Sequence, residues 1–476
     1  MAKDEASSIP LCIDLDGTLI RSDLLIESAL ALLKTNPLFL FLFPLWLLRG
    51  RANLKREIAR RVQLDAVTLP YDARVLTLLR AQNLRPRVLC TASDHLLADA
   101  VAQHLGLFDE VIASDGTRNL SGDIKAAMLV QRYGERGFDY AGNETKDLAI
   151  WKWARLAFVV NGDRRLDSRV KKQCDVAQVM PRERPGLHAW LGALRPHQWL
   201  KNTLVFVPPL AAHLVMQPAV VARSLAAFAI FSICASGVYL LNDLFDLASD
   251  RRHPRKRKRP FASGQLPLTT GMVTTLLFTF VAFAAAFALA PRFVLVLLGY
   301  FLLTLAYSLY LKQIAMLDVI VLAALYTTRI IAGAVVIGIG LSFWLLAFSM
   351  FLFLSLAILK RYTELGVQRA AGNAHAHGRG YATSDYELLA ALGGASGYLS
   401  VLVLALYINS TASELLYRHP QVLWLLCPLL LYWVSRAWIV AHRGTMHDDP
   451  IVFAVTDRVS LTVLVLGAVV ALVAIR

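Results

Sequence analysis

Two hydropathy regimes divide the chain. Up to about residue 178, short apolar runs such as Leu11-Cys12-Ile13 and Val88-Leu89-Cys90 alternate with polar stretches, as in a mixed α/β domain. Beyond residue 194 the apolar runs lengthen. Nine segments stand out, at residues 203–215, 221–241, 269–289, 293–310, 318–339, 343–359, 388–408, 422–440 and 459–475. Most approach the ~20 residues that a helix needs to cross a bilayer. The first is short, contains Pro208-Pro209, and is expected to extend back towards Trp199. Residues 179–193, rich in Pro and Arg, read as a linker. The expected architecture is an N-terminal α/β domain (1–178) with a helical insertion at about 22–80, then an all-α polytopic membrane domain (194–476) of nine transmembrane helices.

Apolar residues make up 57% of the 476, too many for a soluble protein of this size. The net charge of +15 is then read as cytoplasmic loop charge, and no nucleic-acid partner is expected. Nine spans put Arg195/Lys201, residues 251–259, Lys312, Lys360/Arg361/Arg369/Arg379 and Arg443 on one side, leaving Arg292 and Arg418 on the other. The positive-inside rule places the first set and the N-terminal domain in the cytoplasm and the C-terminus outside, in a multi-pass inner (cytoplasmic) membrane protein. Met1 to Pro10 is short and polar, and no signal peptide is expected there. The five cysteines lack paired spacing, which argues against disulfides or a zinc site.

In the N-terminal domain, strand 11–13 delivers Asp14-Leu15-Asp16-Gly17-Thr18-Leu19. Two carboxylates at this spacing suit phosphoryl transfer: one attacks phosphorus, the other protonates the leaving group and then activates water. The run resembles the first motif of the haloacid-dehalogenase (HAD) phosphatase superfamily. The resemblance covers about residues 11–163. It implies an α/β Rossmann-like fold with a small helical cap, Thr91 and Lys125 as phosphate-binding residues, and Mg²⁺ held by Asp14, Asp16, Asn143 and Asp147. Asn143 stands where many members carry Asp, which lowers the charge of the site. The apolar stretch at residues 37–48, flanked by Arg49, Arg51, Lys55 and Arg56, is too short to span; membrane-interface docking and a buried cap helix both remain open.

The second chemical feature is Asn242-Asp243-Leu244-Phe245-Asp246-Leu247-Ala248-Ser249-Asp250, at the end of the second apolar segment. On a helix, positions i, i+4 and i+8 share a face, so Asn242, Asp243, Asp246 and Asp250 are expected to converge on Mg²⁺ and substrate phosphate. A basic run follows, in which Lys256 and Arg259 are the candidates for binding phosphate oxygens.

This NDxxDxxxD run, followed by Lys256, Arg259, Pro260, Ser263 and Gly264, resembles the UbiA superfamily of intramembrane prenyltransferases over about residues 194–476. The resemblance implies nine transmembrane helices, Mg²⁺ as cofactor, and Asp243 and Asp246 as catalytic. A matching second site is expected at Tyr307, Lys312 and Asp318, with Arg329 further on; many members have DxxxD here, but this chain has Leu322 at the fourth position after Asp318.

Within the superfamily, residues 194–202, 242–260 and 307–329 resemble the decaprenyl-phosphate phosphoribosyltransferase branch, as do Lys360-Arg361-Tyr362-Thr363-Glu364, Asp448-Asp449-Pro450 and Asp457-Arg458. That branch implies phosphoribosyl diphosphate (PRPP) as the soluble donor and a polyprenyl phosphate as the acceptor. Lys201, Lys312, Lys360 and Arg361 are the candidates for the extra phosphate of PRPP, and Asn202, beside Lys201, is a further substrate-binding candidate. The fusion fits: the transferase product carries a 5-phosphate that a phosphatase in the same chain would remove, giving polyprenyl-phosphoryl ribose for cell-envelope polysaccharide synthesis. The alternative is transfer of a prenyl group from a prenyl diphosphate to an aromatic or other small acceptor, with an unrelated phosphatase domain. A cation-binding scaffold or transporter fits less well, for want of an inverted repeat. A homo-oligomer is compatible with the pattern and not required by it.

Overall fold

A computed structural model of the chain describes residues 9–183, 185–372, 379–446 and 450–475. Asp448 and Asp449, singled out above, lie outside the described residues. The chain forms two compact units, Met1–Arg195 with Tyr239–Leu276, and Pro196–Val238 with Leu277–Arg476.

The first unit contains a six-stranded parallel sheet: β1 (Leu11–Ile13), β2 (Arg87–Asp94), β3 (Glu110–Ser114), β4 (Asp139–Gly142), β5 (Leu156–Val160) and β6 (Asp175–Met180). Their order is β3-β2-β1-β4-β5-β6, the doubly wound arrangement. Alternation decides which face each residue supplies. Leu11 and Ile13 join one core with Val75, Leu79, Leu97 and Val101, whereas Cys12 joins the opposite core with Leu129, Trp151 and Leu166. Strand order reverses between β1 and β4, so the carboxyl end of β1, where Asp14 sits, is the crevice in which such sheets bind ligands.

Helix α1 (Leu24–Thr35) leaves this crevice, its first turn capped by Asp23, whose carboxylate accepts from the Ile26 amide. Short helical segments follow at Pro37–Phe41, Phe43–Leu48 and Arg51–Ala59, held by a small core of Leu32, Trp46 and Ile58. Between Pro37 and Leu48 only Trp46 is buried; Leu38, Leu40, Phe41, Leu45, Leu47 and Leu48 are exposed. The buried-cap expectation therefore fails for this stretch. The insertion also ends sooner than expected, since Val75 and Leu79, from helix Ala73–Ala81, pack in the sheet core.

Helix α2 (Asp123–Tyr133) covers the sheet face formed with Trp151. The expected linker is partly structured: β6 runs to Met180, and residues 187–194 form helix α3 (Leu187–Leu194). Ala189 and Ala193 of α3 pack with Leu30 of α1 and with Leu240, Leu244, Leu247, Phe261 and Leu266. The segment around the acidic run thus shares a core with α1 and α3.

Among the described residues, eight helices are long and apolar enough to cross a membrane: α4 (Pro218–Phe245), α6 (Leu268–Leu289), α7 (Pro291–Leu309), α8 (Leu317–Ile337), α9 (Phe343–Ala370), α10 (Thr383–Ile408), α11 (Pro420–His442) and α12 (Arg458–Ile475). A short helix, α5 (Leu247–Arg252), follows α4. The first of the nine expected segments differs. It folds as a 3₁₀ stretch (Pro196–Phe206) and one α-turn (Val207–Ala211), because the adjacent Pro208 and Pro209 have no backbone N–H to extend a ladder. A Cβ on Gly333 of α8 would lie 2.1 Å from the Val205 carbonyl oxygen. The missing side chain is what lets the two backbones meet, as is common between membrane helices.

Trp151 is buried, donates its indole N–H to the Tyr140 carbonyl at 3.1 Å, and meets the Tyr140 ring edge-on. Trp151→Ala is expected to cost the sheet about 3–5 kcal/mol. A lowered unfolding midpoint in far-UV circular dichroism is the readout; an unchanged midpoint would contradict the core described.

Candidate functional site

At the end of β1, Asp14 accepts from the Lys125 ammonium at 2.7 Å. Lys125 also donates to the Tyr140 hydroxyl at 3.0 Å, and Tyr140 donates to Asp147 Oδ1 at 3.0 Å. The other Asp147 oxygen accepts from the Asn143 and Glu144 amides. Lys125 comes from α2, and its ammonium is buried. The Asp14 carboxyl is raised to about 6, because burial outweighs the nearby Lys125 charge. Asp16 rises to about 7, through burial and the charge of Asp23. It accepts from the Leu24 amide at 2.7 Å and from the Ser93 hydroxyl at 2.6 Å. A nucleophile beside a fixed ammonium and a second, more basic carboxyl suits hydrolysis of a phosphomonoester. Gly17 adopts φ +74°, which L side chains rarely adopt, and a Cβ there would lie 2.1 Å from Asn143 Nδ2, so a larger residue would strain the backbone and displace the Asn143 amide. The Asn143 oxygen accepts from the Thr18 hydroxyl at 3.1 Å. Thr91 is buried and accepts from the Ser93 amide. Ser93, not Thr91, is the hydroxyl that reaches a candidate carboxylate.

The acidic run does not continue as one helix. Asn242 and Asp243 end α4, Asp246 caps α5 with no side-chain capping bond, and Asp250 lies within α5. The three carboxylates are shared among cations. Asp243 pairs with Arg195 and with Arg259 at 3.1 Å; Asp250 pairs with Arg259 at 2.6 Å; Asp246 pairs with Lys34 of α1 at 2.6 Å. Arg195, as the C-cap of α3, is held at φ +52°, a conformation that non-glycine residues seldom adopt, and its guanidinium also lies over the Tyr239 ring. Among the described residues, no three His, Cys, Asp or Glu side chains gather as the ligands of one ion, here or at Asp14. Asp243 and Asp250 do converge, on one nitrogen of Arg259, while Asp246 turns to Lys34; the cations relieve the repulsion between like charges. Two oxygens remain suited to a hard cation: Asn242 Oδ1 and Asp243 Oδ2 are buried and have no hydrogen-bond partner. Oxygen donors of this kind, with the carboxylates beside them, fit Mg²⁺. Lys256 is solvent-exposed.

In the second unit, Asp318 at the start of α8 is inaccessible to solvent. Both of its oxygens accept from Arg361, at 2.6 and 3.1 Å. Tyr307 donates to Asp318 at 3.1 Å, and Arg361 and Arg379 each donate to the Tyr307 hydroxyl at 2.9 Å. Arg361 also pairs with Glu364. Deeper in the helices, Arg329 donates to Asn202 Oδ1 at 2.8 Å, amid the rings of Phe231, Tyr300 and Tyr326. Asn202 in turn donates to Ser232 at 3.0 Å. Half-buried Lys201 lies 5.9 Å from the Tyr326 ring, while Lys312 and Lys360 are half-buried elsewhere. Lys201 also borders an apolar cavity of about 830 Å³ between helices of this unit, lined by residues such as Leu204, Trp344, Tyr407 and Trp433.

Sequence reasoning missed Lys34, Ser93 and Arg379 as site residues and named Arg195 only as a loop charge and within residues 194–202. Lys34 gives no local signal beyond a basic residue in a last helical turn, since its partner lies 212 positions away. Arg361→Ala is expected to cost about 3–5 kcal/mol, because it strips the main partner from a fully buried carboxylate. A thermal-unfolding series in detergent measures it, and equal midpoints would contradict the pairing.

A family model described as the UbiA prenyltransferase family matches residues 205–461. The uncharacterized protein y4nM of Sinorhizobium fredii is 36% identical over 459 residues, 95% of this chain and 88% of that protein. Nodulation protein NoeC of Azorhizobium caulinodans is 40% identical over 288 residues, 59% of this chain and 91% of that protein. Decaprenyl-phosphate phosphoribosyltransferase of Mycobacterium tuberculosis is 38% identical over 186 residues, 38% of this chain and 62% of that protein.

Proposed function

The chain belongs to the UbiA prenyltransferase family, and from that premise we propose that it transfers 5-phosphoribosyl from PRPP to a polyprenyl phosphate. The observation that carries this reading is Asp318. Its carboxylate is neutralised by buried Arg361, with the partly exposed Arg379 3.7 Å away, so among the described residues this cluster presents the Arg379 guanidinium rather than an unpaired acid. Guanidinium forks bind phosphate well, and PRPP carries a phosphate beyond its diphosphate. The similarity to the mycobacterial phosphoribosyltransferase supports the same choice. The apolar cavity suits the polyprenyl chain.

Asp243, Asp246, Asp250 and Asn242 are the residues that would hold Mg²⁺, with Arg259 beside them for phosphate oxygens. Bound there, Mg²⁺ supplies Lewis-acid stabilisation of the departing diphosphate. The acceptor phosphate is already anionic and attacks C1 of the ribose without a strong base; the C1–O bond to diphosphate breaks as the new C1–O bond forms.

The α/β part is proposed to act as a HAD-type phosphatase on the 5-phosphate of the product. Asp14 attacks phosphorus, Lys125 steadies the charge, and Asp16 gives its proton to the departing alkoxide. Water, deprotonated by Asp16, then releases phosphate from Asp14. The exposed apolar residues between Pro37 and Leu48, with their basic flank, would dock at the membrane surface. The charge bias of the loops favours a cytoplasmic segment 251–259 and an external C-terminus in an inner membrane; Leu30 of the α/β part packs with Leu240, Leu244 and Leu247 beside that segment, so a cytoplasmic α/β part requires residues 196–217 to complete a ninth crossing.

Membranes carrying the chain, given labelled PRPP, polyprenyl phosphate and Mg²⁺, should yield labelled lipid. Asp243→Asn, or chelation of Mg²⁺, should lower the yield about 100-fold or more, as expected when several kcal/mol of metal assistance are lost. Absence of labelled lipid from wild type, or label entering an aromatic product from a prenyl diphosphate instead, would refute the reading. Asp14→Asn should leave transfer intact and accumulate the 5-phosphorylated lipid. Product mixtures identical to wild type would remove the phosphatase from this sequence of reactions.

A further inference from the structure

Helix α1 begins and ends at two different candidate sites. Its first amide, Leu24, donates to Asp16. Its last turn delivers Lys34 to Asp246. Between them, Glu27 accepts from Arg251 at 2.8 and 2.7 Å, both side chains only 6% exposed, and Leu30 packs among Leu240, Leu244 and Leu247. Asp65 adds a pair to Arg252 at 2.7 Å. The placement of Lys34 therefore follows from a built interface and not from a single surface contact.

We propose that Lys34 is an internal counter-ion of the acidic run, which occupies Asp246 until a divalent cation arrives and yields when it does. The inference rests on the reading of Asn242–Asp250 as a cation and diphosphate site. Its own observations are the 2.6 Å contact with Asp246 Oδ1 and the buried, unpartnered oxygens of Asn242 and Asp243. A divalent ion drawn to those oxygens and to Asp246 lies within a few ångströms of the Lys34 ammonium. Two cations at that separation repel, so each weakens the hold of the other. Lys34 is thus a positioning residue: it keeps Asp246 in place in the metal-free protein and sets how much cation the transferase site needs. Arg259 plays a comparable part for Asp243 and Asp250, but it comes from the segment of the acidic run itself. Lys34 comes from the α/β part, which gives that part a hand in the metal affinity of the other site.

The test is a Mn²⁺ titration of the purified full chain in detergent, followed by electron paramagnetic resonance of free Mn²⁺, for wild type, Asp243→Asn, Lys34→Met and Lys34→Arg. Asp243→Asn identifies the class of Mn²⁺ sites that belongs to the acidic run. If it removes none, the reading of the run as a cation site fails. Given that class, Lys34→Met is expected to tighten its Kd roughly two- to fivefold, the scale of a partly exposed ion pair, and Lys34→Arg to stay near wild type. An unchanged or weaker Kd in Lys34→Met overturns the counter-ion role while leaving the site itself standing. A second readout uses the wild type alone. Amine acylation of Lys34, followed by mass spectrometry, should rise when Mn²⁺ is added; equal labelling with and without Mn²⁺ overturns the proposal.

Discussion

The buried ion pair between Glu27 and Arg251 ties together two stretches of chain separated by more than two hundred residues. An ion pair this far from water persists only when both partners are present and the geometry is good, since removing one leaves a desolvated charge. Here the geometry is bidentate, and Arg251 also donates to the Ala262 carbonyl at 2.9 Å. The loop after the acidic run is thus fastened to α1 through a guanidinium whose donors are shared between a carboxylate and the backbone. The apolar contacts of Leu30, Ala189 and Ala193 close around the same place. Together the anchor and these contacts fix where Lys34 and Arg195 meet the carboxylates.

A common electrostatic logic runs through the sites. The acids are handed to cations: Asp14 to Lys125, Asp243 to Arg195 and Arg259, Asp246 to Lys34, Asp318 to Arg361. In low dielectric, unpaired carboxylates side by side are costly, and a nearby ammonium or guanidinium is the ready remedy. The result is a set of preformed charge pairs. Asp318 is the extreme case, sealed from solvent by the groups that neutralise it.

Much of this was legible in the sequence, for identifiable reasons. Strand β1 and the carboxylates after it were readable because an apolar run and DxDGTL occupy eight or so adjacent positions, and the apolar helices because a bilayer imposes a length. The parallel sheet and the acid at the end of its first strand follow from that pattern. What escaped was non-local. The helical spacing of the acidic run implied a single face, but the helix breaks at Asp246, which pairs with Lys34, while Asp243 and Asp250 pair with Arg259. The first apolar segment looked like a span by composition, yet Pro208 and Pro209 limit it to short turns. The exposure of Leu38, Phe41 and Leu48 was undecidable from hydropathy, because an apolar helix reads alike whether its partner is protein or lipid. Ser93 and Arg379 carry no motif of their own; their roles come only from what folding brings beside them.

Helix α1 is also a lever with unequal arms. Its fixed point is Glu27, clamped by Arg251 and backed by the packing of Leu30. Leu24, which holds Asp16, lies three residues to one side; Lys34 lies seven to the other. At 1.5 Å per residue the arms measure about 4.5 and 10.5 Å. A rigid tilt that carries the Lys34 end by 2 Å therefore moves the Leu24 end by less than half as much, about 0.9 Å. Any swing at the Lys34 end would therefore reach Asp16 geared down.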